Sequence, residues 1–375
     1  MKIYNVTVVG GGNMGMCLAG VISRLERYKV TLLATNPKEF NKEIEIIDDE
    51  LHITYKSGNF IITDNIEEAI KSADLIYCTY PAFLRERFIH ESGKYMQKNT
   101  ILGFIPAYGG AEFYCKELIN KGITIFGLQK PPYVCRTKKR GKIAGLMSRK
   151  SLLFVAAIPF DKSKFIVNLL EDMLQIKTVS LPNYMNVTLL PGNPLLHTSG
   201  SYRYLKDYNK GDTYPKQIYY YQEWDDECSS IICDLSNEMM NICKNLPIDL
   251  SGIKSIQEYY ESPTPKALTE KFHTIPSFHP LTLPMIKNDN GYVPDFNSRF
   301  FIEDIPYGLC TIKALAMLVD KKTPMIDEIL LWYKKQTGKE YFNENGEFGA
   351  NISETAIPQL FGIDNVEKLR EYYCK

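Results

Sequence analysis

Through the first half of the chain, short runs rich in β-branched residues alternate with stretches at helical spacing. Residues 3–9 form an apolar run that predicts a strand, followed by a glycine cluster at 10–12. Residues 14–25 then read as a helix and 30–34 as a second buried strand. A strand, a tight turn, a helix and a strand in that order open a parallel sheet. Residues 51–55 and 60–63 alternate as an antiparallel pair would. A short helix over 66–72 and a buried strand over 74–79 follow. Further strands are expected at 101–105, 123–126 and 151–158. Phe165, Ile166, Leu169, Leu170 and Met173 recur at helical spacing within 161–173. Residues 177–181 supply the last strand.

After Pro182 the strand signal fades. Ile231, Ile232, Leu235, Met239 and Ile242, with Leu246 just beyond, mark one long helix over 222–245, and 312–320 and 325–336 repeat the pattern. The stretch 263–298 is rich in proline, aspartate, asparagine and serine and reads as a long irregular excursion. The expected architecture is an N-terminal α/β domain over 1–183, a Rossmann-type doubly wound sheet, followed by an all-α domain over 184–375.

A chain of 375 residues with 45% apolar content can build two cores. Lysine plus arginine equals aspartate plus glutamate, at 44 each, which argues against nucleic acid or an anionic membrane as partner. Nine cysteines at irregular spacing read as free thiols in a reducing compartment, with no zinc-type pairing. The first strand starts at Ile3, leaving no room for a signal peptide, and no apolar run is long enough to span a bilayer. The expected location is the cytoplasm, with small molecules as partners and a homodimer as a possible assembly.

The glycine cluster carries the first chemistry. Gly10-Gly11-Gly12-Asn13-Met14-Gly15 satisfies GxGxxG directly between a strand and a helix. Gly10 permits the turn, Gly12 the approach of a pyrophosphate, and Gly15 close packing of helix on strand. The helix start at Asn13 and Met14 offers N–H groups to the phosphates. At the end of the second strand stand Thr35, Asn36 and Lys38, with no carboxylate before Glu39. A neutral or cationic end favours NADP over NAD. Tyr80 and Pro81 close the strand that runs toward the nicotinamide side.

Of the five histidines, His197 stands out because it follows Pro191-Gly192-Asn193-Pro194 just past the domain boundary, where a side chain could face a cleft. Histidine suits proton transfer near neutral pH, although a lone histidine is more often structural. Arg299-Phe300-Phe301-Ile302-Glu303-Asp304-Ile305-Pro306-Tyr307-Gly308 combines an arginine, two carboxylates and a helix-stopping Pro-Tyr-Gly. By spacing alone it reads equally as a solvated loop with an Arg–Glu pair. The basic run Arg136, Lys138, Lys139, Arg140, Lys142, Arg149 and Lys150 reads as a solvated hairpin, Arg136 excepted.

Several stretches resemble the octopine/nopaline (opine) dehydrogenase family over nearly the whole chain. VVGGGNMG resembles its nucleotide fingerprint, PPYVCR over 131–136 its LPYACR-like stretch, GNPLLHTSG over 192–200 its histidine segment, and SRFFIEDIPYGL over 298–309 its RYxxEDxPYGL-like segment. Thr198 and Pro132 depart from the family pattern. The resemblance implies a Rossmann domain followed by a helical one. It implies reductive condensation of an amino acid with a 2-oxo acid through an imine in the interdomain cleft, using NADP or NAD. It makes His197 the proton relay, Asp304 its carboxylate partner and Arg299 the anchor of the 2-oxo acid, with Cys135 and Asn193 as further substrate contacts. A simple 2-oxo-acid or 2-hydroxy-acid reductase and a non-catalytic NADP-binding sensor are the competing readings.

Overall fold

The computed structural model describes residues 3–190 and 192–373. The chain divides into two compact units. The first runs to Thr188 and takes back Tyr373, and the second is Leu189–Tyr372.

In the first unit, β1 (Tyr4–Val9), α1 (Asn13–Ile22) and β2 (Tyr28–Leu33) form the opening repeat. There follow β3 (Glu45–Asp48), β4 (Ile53–Lys56), β5 (Ile61–Thr63), α2 (Ile66–Ile70), β6 (Leu75–Cys78), α3 (Ala82–Ser92) and β7 (Ile101–Phe104). Next come α4 (Ala111–Tyr114), α5 (Lys116–Asn120), β8 (Thr124–Leu128), β9 (Tyr133–Lys139), β10 (Ile143–Arg149), β11 (Leu152–Ile158), α6 (Ser163–Leu174), β12 (Lys177–Ser180) and α7 (Met185–Thr188). Eight strands make the main sheet in the order β12-β11-β8-β7-β6-β1-β2-β5. Pairing is parallel except where β11 runs antiparallel to β8. Val6, Val8 and Val9 of β1 are fully buried, as a parallel strand covered on both faces requires. The chain passes from β1 to β2 on one side and later to β6 on the other. This reversal is where open α/β sheets hold ligands.

Residues 51–55 and 60–63 do not pair with each other, contrary to the sequence expectation. β4 pairs with β3, whereas β5 joins the main sheet beside β2. Alternation specifies which face a strand buries and leaves its partner open. Here Gly58 separates the two. A Cβ on it would lie 1.9 Å from the Ser23 carbonyl oxygen, so only glycine lets the chain turn there toward β2. The second sheet, β4-β3-β10-β9, was not foreseen. Its β9–β10 hairpin carries the basic run, but one face is no solvated loop: Tyr133, Cys135, Ala144 and Leu146 are buried in the same core as α1.

The first unit extends past the expected boundary at 183. Gln129 Nε2 donates to the Asn186 carbonyl at 2.8 Å, and the Thr188 hydroxyl donates to the Glu112 carboxylate at 2.5 Å. The Tyr373 hydroxyl donates to the same Glu112 oxygen at 2.7 Å, which brings the end of the described chain into this unit. Glu112 is fully buried, and burial pushes its carboxyl up to about 7. The native state therefore binds a proton that the unfolded state has released, so stability falls as pH rises from about 4.5 to about 7. Glu112→Gln should flatten this part of the profile, with the largest gain, about 3 kcal/mol, above pH 7. Urea unfolding at pH 5 and pH 8 checks it. An unchanged pH dependence in the variant would contradict it.

The second unit is helical apart from one ribbon. Its elements are α8 (Asn193–Leu205), α9 (Asp226–Asn245), α10 (Ile256–Tyr259), α11 (Pro265–His273), β13 (Met285–Asn288) and β14 (Gly291–Pro294). They continue with α12 (Arg299–Ile302), a π-helical turn (Ile305–Leu309), α13 (Cys310–Leu318), α14 (Pro324–Thr337) and α15 (Val366–Tyr373). Asp225 caps α9, accepting from the Cys228 N–H at 2.8 Å, and the spaced apolar residues of α9 are buried. The stretch 263–298 is more regular than its composition suggested. Thr264 caps α11 ahead of Pro265, and β13 and β14 form an antiparallel hairpin. No described helix is long and apolar enough to cross a membrane.

Candidate active site

The glycine turn follows β1. Gly10 has φ +104°, in the left-handed region, and a Cβ on it would sit 2.8 Å from Thr79 Oγ1. A Cβ on Gly15 would fall 1.7 Å from the Gly10 carbonyl oxygen, so only glycine lets α1 approach β1 this closely. Gly12 is different. It is the N-cap of α1 with no side-chain cap, and a Cβ there would meet nothing within 4 Å. Open space above uncapped helix N–H groups at Asn13 and Met14 is what a dinucleotide pyrophosphate needs, so these residues fit such a cofactor.

The turn is braced from β9. Asn13 Oδ1 accepts from the Thr137 N–H at 2.8 Å, and Cys135 Sγ donates to the Asn13 carbonyl at 3.4 Å. Cys135 is buried, so the structure places it behind the glycine turn. Beyond β2, Thr35, Asn36 and Lys38 are exposed. Asn36 adopts φ 55° and its amide donates to Glu39 at 3.4 Å. Tyr80 is half-buried and packs edge-on against Phe88 at 6.0 Å, and Pro81 precedes α3 as its N-cap.

Sequence reading missed Arg85, which is 1% exposed. It donates to the carbonyls of Tyr80 (3.1 Å), Tyr108 (2.5 Å) and Pro106 (2.8 Å), tying together the loops after β6 and β7. Nothing in the polar spacing of α3 distinguishes it from its exposed neighbours Glu86 and Arg87.

In the second unit, α8 carries His197 and the α12–π-turn junction carries Asp304. His197 Nδ1 lies 2.7 Å from Asp304 Oδ2, with side-chain exposures of 14% and 3%. Burial raises the Asp304 carboxyl from its ordinary value, and the adjacent His197 opposes that rise. The imidazole stacks on Phe300, with centroids 3.6 Å apart and planes 5° from parallel. The Tyr220 hydroxyl reaches the carbonyls of His197 (2.7 Å) and Leu196 (2.9 Å), fixing the backbone that bears the ring. Gly200 makes room for it, since a Cβ there would sit 2.4 Å from that hydroxyl. With Nδ1 committed to the carboxylate, Nε2 is the nitrogen left to exchange a proton with a reactant.

Pro306-Tyr307-Gly308 does not stop a helix, contrary to expectation. Proline lacks the N–H for an i→i−4 bond, and the ladder widens instead. The Asp304 N–H donates to the Arg299 carbonyl at 3.3 Å and the Leu309 N–H to the Asp304 carbonyl at 3.1 Å, both i→i−5. The helix thus continues through a π turn into α13, a feature frequent at functional sites. Gly308 packs on Pro194, where a Cβ would come within 2.4 Å, and this close approach brings the Asp304 segment against α8. Thr198 departs from the family pattern without disturbing α8: it is buried, with its hydroxyl bonded back to the Pro194 carbonyl. Asn193 is exposed one turn before His197, on the same face of the helix. Arg299 is 59% exposed, and its Nε donates to the buried Glu303 carboxylate at 2.5 Å.

A doubly wound sheet with an open glycine cradle, and a helical unit with a buried histidine–carboxylate pair, define an NAD(P)-dependent oxidoreductase of two parts. The family model described as "NAD/NADP octopine/nopaline dehydrogenase, alpha-helical domain" matches residues 180–337, which contain His197, Arg299 and Asp304. Relatives named as tauropine and opine dehydrogenases are similar to the chain over nearly its whole length. The chain is 27% identical to tauropine dehydrogenase from Arabella iricolor, over 97% of this chain and 99% of the relative. A structure of octopine dehydrogenase with NADH and L-arginine superposes with a TM-score of 0.83 at 24% identity, over 98% of this chain and 97% of the other. Yersinopine dehydrogenase bound to NADP+ shares the fold at a TM-score of 0.68 and 10% identity, over 98% and 99% of the two chains.

Proposed function

We propose that this protein reductively condenses the amino group of an amino acid with a 2-oxo acid. The observation that carries the reading is the 2.7 Å contact of His197 Nδ1 with buried Asp304, inside the segment that matches the family's helical domain. The amine and the ketone lose water to form an imine. Gly12, Asn13 and Met14 would hold the pyrophosphate of a reduced nicotinamide cofactor, which when bound would supply the hydride for the imine carbon. His197 Nε2 gives the imine nitrogen its proton, leaving a secondary amine between two carboxylate-bearing carbons. Asp304 holds the ring with Nε2 outward and stabilises the imidazolium. Phe300 keeps the imidazole plane fixed and lends its π face to the cation. Arg299, more than half exposed and paired through Nε with Glu303, meets the carboxylate of the 2-oxo acid with its planar guanidinium. Asn193 contacts substrate from the same face as His197.

Mass spectrometry of the reaction mixture tests this directly. The expected product has the mass of the amino acid plus the 2-oxo acid, less one water and plus two hydrogens. A 2-hydroxy acid as sole product would replace this reading with that of a simple reductase.

A further inference from the structure

The basic run on the β9–β10 hairpin has no part in the chemistry above, yet its tip lies beside the glycine turn. After β2 the chain makes a turn at Pro37–Glu39 and sends Phe40 inward. The Phe40 ring abuts the turn, since a Cβ on Gly11 would fall 2.5 Å from Phe40 Cζ. The hairpin tip closes on the same segment. The Asn41 N–H donates to the Gly141 carbonyl at 2.9 Å, and a Cβ on Gly141 would lie 2.0 Å from the Glu39 carbonyl oxygen. Arg140 is thereby held with its guanidinium carbon 5.3 Å from the centre of the Phe40 ring and its Nε paired with the Glu39 carboxylate. One aromatic ring therefore connects Arg140 to the glycine turn.

In dinucleotide-binding units the end of the second strand meets the adenine ribose, and the charge there separates a 2′-hydroxyl from a 2′-phosphate. An acid at the strand's own end would accept from the diol and repel the phosphate. Here Thr35 and Asn36 stand at that end, and the first acid, Glu39, is already engaged by Arg140. The Arg140 and Glu39 side chains are 51% and 43% exposed, and an exposed ion pair is easily exchanged for another anion. A guanidinium offers the planar fork that fits phosphate, which the flexible ammonium of Lys38 does not.

We propose that Arg140 selects a 2′-phosphorylated nicotinamide cofactor, exchanging the Glu39 carboxylate for the 2′-phosphate. This rests on the nicotinamide-cofactor reading of the glycine turn, and the experiment separates the two. Calorimetric titration of the full chain with 2′,5′-ADP, 5′-AMP, NADPH and NADH reads binding without turnover. The wild type should bind 2′,5′-ADP roughly ten- to hundredfold more tightly than 5′-AMP, as a charge-assisted contact warrants. Arg140→Ala should abolish that ratio while 5′-AMP affinity holds. Lys38→Ala should change it less, and Glu39→Gln, which frees Arg140, should increase it. Thermal melts of each variant establish that it is folded. If 5′-AMP and NADH bind as well as their phosphorylated counterparts, or if the ratio survives in folded Arg140→Ala, the assignment of Arg140 is wrong and the cofactor reading stands. If none of the four ligands binds, both are overturned.

Discussion

Alanine in place of His197 is expected to lower turnover by about 10²- to 10⁴-fold, the range for loss of a positioned general acid. Asp304→Asn should fall at the severe end of that range. The asparagine keeps the shape of a fully buried side chain but removes the charge that stabilises the imidazolium. It also turns an acceptor that fixes the tautomer into a group that can present an N–H to Nδ1. Both residues lie in the second unit, whereas the glycine turn lies in the first. Cofactor affinity, followed by fluorescence titration, should therefore hold while steady-state turnover collapses. The double variant should be little worse than His197→Ala, because the two side chains act as one device. Wild-type turnover in either single variant would remove the pair from the mechanism.

The glycine turn separates binding from folding with equal force. A methyl group at Gly12 meets no protein atom within 4 Å, so Gly12→Ala should melt near the wild-type temperature. It should nevertheless lose most cofactor affinity, because the methyl occupies space that the pyrophosphate requires. At Gly15 the same methyl would sit 1.7 Å from the Gly10 carbonyl oxygen, so β1 and α1 would have to separate. Gly15→Ala should therefore lose cofactor binding and stability together, by several kcal/mol if the strand–helix contact is forced apart. Paired thermal melts and cofactor titrations check both. A destabilised Gly12→Ala with intact binding would reverse the assignment of these two glycines.

The first unit was legible because its signals are local. A buried strand, a glycine turn and a helix follow one another in sequence, and each residue's role at the turn depends on backbone atoms a few positions away. Pairing was less legible. Residues 51–55 and 60–63 both alternate, yet they enter different sheets, because the choice depends on Gly58 approaching the Ser23 carbonyl from 35 residues away. Among the site residues, the approach of His197 to Asp304 spans 107 positions and could be anticipated only through resemblance of the two segments. Phe300 and Tyr220 carry no polar signature and read as ordinary core aromatics. Their roles come from a 3.6 Å stack and from a hydroxyl that needs Gly200 to be small. The helix-stopping reading of Pro306 failed because a missing N–H can be absorbed by a wider turn as well as by an end.

The measurement that bears most directly on the proposed chemistry is oxidation of NADH and NADPH by the purified protein, with pooled 2-oxo acids, in the presence and absence of pooled amino acids. Oxidation is expected only when both pools are present, and it should be lost in His197→Ala. Equal oxidation with 2-oxo acids alone would contradict that chemistry.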